Sequence, residues 1–209
     1  MKRCPREEEE TTRMSGKPAD QSRKVSRLPP LPQPLDPIIE ELFADTRRRG
    51  GEPLNLHHTT GHAPKLSRAR RMMTVALRND CKTSRKLREL TILRMSHIND
   101  CPYERDHHEP LGLRAGLTRE QLDALPDWRN HRHLFNAEER ALLAYVDALG
   151  IDRGDVDDAT FAAMEEHFSP QEIVEITYCA TTYLANAIVV KAFRIERDLP
   201  HIRAAPGKF

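Results

Sequence analysis

The chain has 209 residues, with 33 Lys plus Arg against 32 Asp plus Glu, a net charge of +1. This balance leaves no electrostatic footprint for nucleic acid or an anionic membrane. Aromatic residues are 5% and glycines number 9, fewer than β-sandwiches and barrels use, so the composition leans to an all-α fold.

Residues 1–27 are polar and charged and cannot offset their ordering entropy by burial, which predicts a disordered tail ahead of a single domain at 28–209. The tail's first residues lack an apolar core and are no signal peptide. The segment LPPLPQPLDP at 28–37 favours extended backbone and reads as a strap over the domain surface. Asp36-Pro37 opens a helix, with Asp as N-cap and Pro in the first turn, and Gly50-Gly51 ends it. A second helix is expected from Pro64 to Arg78, burying Leu66, Met73 and Leu77. Thr83 caps KLRELTILRMSHI, a largely buried helix, and another runs from Cys101 to Ala115 and stops at Gly116. Capping boxes at Thr118–Gln121, Asn136–Glu139 and Ser169–Glu172 open further helices, the last of them the longest and most apolar, with a short helix at 160–167 between. No segment approaches the roughly 20 apolar residues of a membrane span. Cys4, Cys81, Cys101 and Cys179 form no CxxC pair, so free thiols and a cytoplasmic setting are expected, with no metal site.

The stretch with the most chemistry is RELTILRMSHINDCPYERDHHEPLGLRAGL, residues 88–117. Cys101, Glu104 and His108 fall at i, i+3 and i+7, one face of a helix. A carboxylate and an imidazole on a common face can share a proton and act as acid and base. Cys101 would sit in the first turn, where the helix dipole favours a thiolate while Asp100 and Glu104 oppose it. Glu89 stands in an apolar helix and needs a partner there. Each also has an ordinary structural role open to it: Glu89 pairing with Arg85, Cys101 as a small buried hydrophobe, Glu104, His107 and His108 as solvated surface. His57, His58 and His62 are spaced in a way that suggests a metal cluster, but read better as surface or substrate contacts.

The combination R-E-L-x-I-L-R, C-x-Y-E, H-H and R-A-G-L resembles the core of the carboxymuconolactone decarboxylase and alkyl hydroperoxidase D superfamily. The hydroperoxidase branch has a glutamate twelve residues before a CxxC pair and a histidine four beyond it; Glu89, Cys101 and His108 fall on these positions, and Glu104 replaces the second cysteine. LNLHHTTGHAP at 54–64, DATFAAMEEHFSPQEIVEIT and YLANAIVVKAF extend the likeness over roughly 28–198, with Asn186 kept from an N-x-x-N pattern. The resemblance implies an alkyl hydroperoxidase D-like helical bundle, homo-oligomers (dimer, trimer or hexamer) and no cofactor. It departs from the family where Tyr103-Glu104-Arg105 replaces Y-E-W and where no resolving thiol stands in the motif.

Three functions follow as expectations. The first is acid/base chemistry on a small carboxylated or lactone-type molecule, a decarboxylation or related lyase or isomerase step. Its catalytic set would be His108, Glu104, Glu89 and Cys101, with His62, Tyr103, His107, Arg85 and Asn186 holding substrate and Arg88 as a further candidate. The second is a thiol peroxidase using Cys101, and the third a ligand-binding member without catalysis.

Overall fold

The computed structural model describes residues 24–200 and 202; residues 1–23, most of the expected tail, lie outside them. The described residues form α1 (Pro37–Arg48), α2 (Asn55–Thr60), α3 (Pro64–Asn79), α4 (Arg85–Ile98), α5 (Pro102–Arg114), α6 (Arg119–Ala124), α7 (Ala137–Gly150), α8 (Asp158–Glu165) and α9 (Pro170–Phe193), with two short 3₁₀ turns before α7. Among the described residues there is no strand, and the fold is all-α.

Helix α4 is the axis. It packs against α5, α7 and α9, and nearly every residue from Leu87 to Ser96 is buried. Leu90, Leu93 and Met95 meet Leu142, Leu143 and Val146 of α7 and Ile176 and Ala180 of α9, with Trp128, Phe135 and Met164 closing the core. A helix buried on all sides must neutralise its charges internally. Arg94 does so by donating to Asp147 Oδ1 at 2.6 Å and to the carbonyls of Leu125 and Pro126; Asp147 also accepts from Trp128 Nε1 and Arg129, each at 3.0 Å.

The caps explain where the helices begin. Asp36 accepts from Ile38 N, and the boxes at Thr118, Asn136 and Ser169 all close. Ser84, one residue later than expected, caps α4, because the Thr83 hydroxyl is taken by Glu175 of α9. Between α4 and α5 the chain reverses through Asp100 at φ 40°, and Cys101 N–H donates back to Ser96 O at 2.9 Å. This brings α5 back along α4. Gly112 permits the close approach, since a Cβ there would lie 2.9 Å from Leu117 and 3.1 Å from Leu93.

Two expectations change. Of the three residues assigned to the buried side of α3 only Leu77 is buried; Leu66 is 68% and Met73 40% exposed. At residues 25–27, within the segment expected as tail, Arg27 N–H donates to Phe193 O and Glu196 N–H to Val25 O, which holds this part of the chain against the end of α9. The proline segment does lie over the surface, with Leu31 buried beside Ile39 and Phe43. By length and composition alone the most apolar window of α9 is enough to cross a membrane, contrary to the expectation of no such run. Half of that window is buried in the bundle, as in any core helix.

Candidate active site

Helices α1, α2, α3, α4, α5 and α9 enclose one cleft of about 1150 Å³, its open mouth included. Helix α4 contributes Arg85, Arg88 and Glu89, while α5 contributes Tyr103, Glu104, His107 and His108. Helix α3 turns its polar side inward, presenting Arg70, Arg71 and Arg78. The inversion of α3 follows from the cleft: its inner face lines a charged space, so its apolar residues point out.

At the floor, Glu89 is fully buried. Its Oε1 accepts from Arg85 Nε at 2.6 Å and its Oε2 meets His108 Nδ1 at 2.7 Å. Burial works to raise the Glu89 carboxyl, but the charges and hydrogen bonds of His108 and Arg85 outweigh it and hold the group below the ordinary carboxylate range. An ionised Glu89 fixes His108 with its proton on Nδ1. His108 Nε2 then faces Glu104 Oε2 across 3.7 Å, too long for a hydrogen bond, and Tyr183 stacks edge-on against the ring at 4.9 Å. Glu89, His108 and Glu104 therefore form a carboxylate–imidazole–carboxylate line in the cleft wall.

Beside this line, His107 Nε2 bonds Asp198 Oδ2 at 3.0 Å. Asp198 also accepts from Asn55 N at 2.8 Å and from the Tyr103 hydroxyl, which itself accepts from Leu56 N at 3.2 Å. On the other side Arg70 donates to Asn186 Oδ1 at 3.0 Å and Arg78 to the Tyr183 hydroxyl. His57 is the unforeseen member. Its Nδ1 accepts from Leu54 N at 3.1 Å, leaving Nε2 to carry the proton, and burial with the nearby arginines holds its pKa well below normal. It is a neutral donor in the cleft wall.

The structure thus brings together Glu89, Glu104, His108, Tyr103, His107, Arg85, Arg88 and Asn186. It does not bring in two of the expected residues. His62 is exposed and bonds Pro29 O at 2.9 Å on the strap, because α2 ends before it and the strap covers that corner. Cys101 is the N-cap of α5, outside its first turn, and packs with Leu56, Tyr103, Ala187 and Val190 rather than lining the cleft. Burial raises its thiol pKa, against a bond from Glu104 N–H. Cys179 does line the cleft, fully buried, its thiol pushed up by burial and then by Glu89. The three histidines of the upstream segment diverge: His57 faces the cleft, His58 stacks on Phe43 at 4.8 Å and His62 meets the strap. Arg70 and Arg78, two turns apart on one face of α3, were a legible signal that the search for apolar spacing passed over; nothing local pointed to Asp198.

Residues 64–147, which hold Glu89, Glu104 and His108, match the sequence model of the carboxymuconolactone decarboxylase family. Over that segment the chain is similar to this family. No curated protein matches the sequence. Among solved structures, the chain is similar to a protein of unknown function from Agrobacterium tumefaciens, at 26% identity and TM-score 0.61 over 68% of this chain and 96% of that one. A peroxidase-related alkylhydroperoxidase AhpD core protein from Ralstonia eutropha aligns at 19% identity and TM-score 0.73, covering 89% of this chain and all of that one. The debrominase Bmp8 aligns at 19% identity and TM-score 0.66, covering 84% and 92%. The last two likenesses are of fold.

Proposed function

We propose that the protein is an enzyme that moves a proton on a small carboxylated or lactone-type molecule, in a decarboxylation or related lyase or isomerase step. The observation that carries the reading is the buried Glu89–His108–Glu104 line in a cleft whose other wall is rich in arginine. A substrate carboxylate would rest on Arg70 and Arg78. As a C–C bond to a leaving carboxylate breaks, its electron pair passes into the conjugated carbonyl. The enolate oxygen is met by donors such as His57 Nε2–H, held in place by the Leu54 N–H bond to its Nδ1. A proton carried by one of the two facing groups, His108 Nε2 or the Glu104 carboxyl, then goes to carbon, forming the new C–H bond, and solvent restores it.

The test is incubation in D2O with a panel of γ-lactones and β-carboxylated acids, following CO2 release and deuterium at carbon by NMR. Turnover should fall about 10²–10⁴-fold in His108→Gln, the usual size of an acid/base contribution. Turnover unaffected by that substitution, or none on the panel, would overturn the reading. The thiol peroxidase alternative is supported by the fold shared with peroxidase-related proteins, and weighs less because Cys101 lies off the cleft with a raised thiol pKa. We also propose a homo-oligomer. Helix α9 exposes Val174, Tyr178, Thr181, Ala185 and Ile188 in the 4–3–4–3 spacing of a coiled-coil seam, and α3 exposes Leu66 and Met72.

A further inference from the structure

Two buried acceptor atoms in the cleft wall have no hydrogen-bond partner among the described residues, Glu104 Oε1 and His107 Nδ1, and the donor Arg71 Nε stands likewise across the cleft. Both side chains are more than nine-tenths buried, at 4% and 7% exposure, and both line the cleft. Three residues apart on α5, they are neighbours on one helix face. Both are acceptors. His107 Nε2–H donates to Asp198, so the neutral imidazole has its lone pair on Nδ1, and Asp198 is held in turn by Asn55 N and Tyr103. Glu104 faces His108 through Oε2, which leaves Oε1 idle. An orphaned buried acceptor is costly, and native proteins rarely leave two on one helix face without a use.

The cleft also holds Arg70, half-buried, its hydrogen bond going to the neutral amide oxygen of Asn186. A partly desolvated cation with a neutral acceptor is suited to an incoming anion. Arg70, Arg71, Arg78, Arg85 and Arg88 together face only Glu89 and Glu104 among the cleft's carboxylates, which disfavours a ligand with an ammonium group.

We infer that the ligand is a hydroxy acid: its carboxylate seats on Arg70, and its hydroxyl donates into the pair of acceptors formed by Glu104 Oε1 and His107 Nδ1. The inference rests on the proposed function for its choice of cleft and adds the donor group that the substrate must carry.

The experiment is calorimetric binding to the full chain, using 4-hydroxybenzoate and 4-hydroxybutyrate as probes. Each is measured against its deoxy and O-methyl counterparts, with the matching ω-amino acids alongside. The hydroxy acid should bind at least about tenfold tighter than either counterpart, the factor one well-made hydrogen bond supplies. Glu104→Leu and His107→Phe, checked for fold by circular dichroism, should each shrink that advantage. Arg70→Gln should weaken all the acids alike and leave the ratio intact. Equal binding of hydroxy and deoxy acids would overturn the donor assignment while keeping the carboxylate site of the proposed function. Tighter binding of the amino acids would overturn the hydroxyl choice, and no binding by any acid would overturn both. A hydroxyl preference without turnover on the lactone panel would support this inference and count against the reaction.

Discussion

Replacing Glu89 with Gln keeps the shape of the side chain and removes its charge. Glu89 is 1% exposed and Arg85 7%, with 2.6 Å between them, and His108 Nδ1 leans on the other oxygen at 2.7 Å. Deleting one member of a buried pair typically costs about 3–5 kcal/mol, because the partner stays buried without compensation. In a chain of this size that lowers the melting temperature by roughly 6–20 °C. The pH dependence has a definite sign. The Glu89 carboxyl is depressed in the fold below the ordinary value of 4.5, so its stabilisation is fully present above about pH 4.5 and is lost as pH falls through the lower folded value. Urea unfolding at a series of pH values should therefore show wild type and Glu89→Gln far apart at pH 7 and converging on the acid side. A loss under about 1 kcal/mol at pH 7, or a gap that widens in acid, would refute the buried, ionised pair on which the site reading depends.

Asp147→Ala strands Arg94 and the Trp128 indole N–H in the core and should cost about 3–5 kcal/mol in urea titrations, far more than Asp106→Ala, which breaks an exposed pair with Arg197. Cys101→Ser should leave turnover in the lactone assay within about twofold while lowering stability by about 1–3 kcal/mol, since a hydroxyl replaces a thiol in an apolar cluster. Rapid sulfenic acid formation at Cys101 after a stoichiometric pulse of hydroperoxide, seen by mass spectrometry, would instead favour the peroxidase. Tyr178→Glu, on the exposed seam of α9, should reduce the mass measured by light scattering to that of a monomer without loss of helicity; an unchanged mass would exclude that face from the assembly.

Most of the helices were legible because their signals are local. The threonine, asparagine and serine caps at 118, 136 and 169 act within three residues, and the apolar residues of α4 are spread so widely round the helix that its burial needed no partner to be inferred. Helix α2 was missed, as six residues carry too little periodicity to register. Helix α3 misled for a different reason. Hydrophobic spacing finds the face that avoids water, but its inner face borders a cleft lined by arginines, so Leu66 and Met73 were placed on the wrong side. The histidine choice failed by one turn. His57 and His62 are alike in sequence context, and only the Leu54 N–H and the strap carbonyl of Pro29 decide which one enters the cleft. Glu104 and His108 were recognisable by spacing within one helix, whereas the Arg70–Asn186 and His107–Asp198 bonds join residues far apart in the chain.

The position of Asp198 has a consequence for how the cleft wall holds together. The side chain that orients His107 and Tyr103 lies beyond α9, on a segment held by Asn55 and, through Glu196, by Val25. Helices formed without this clasp leave His107 and Tyr103 unoriented, so the site depends on contacts between segments far apart in the chain, which close at a loop-closure cost that grows with their separation.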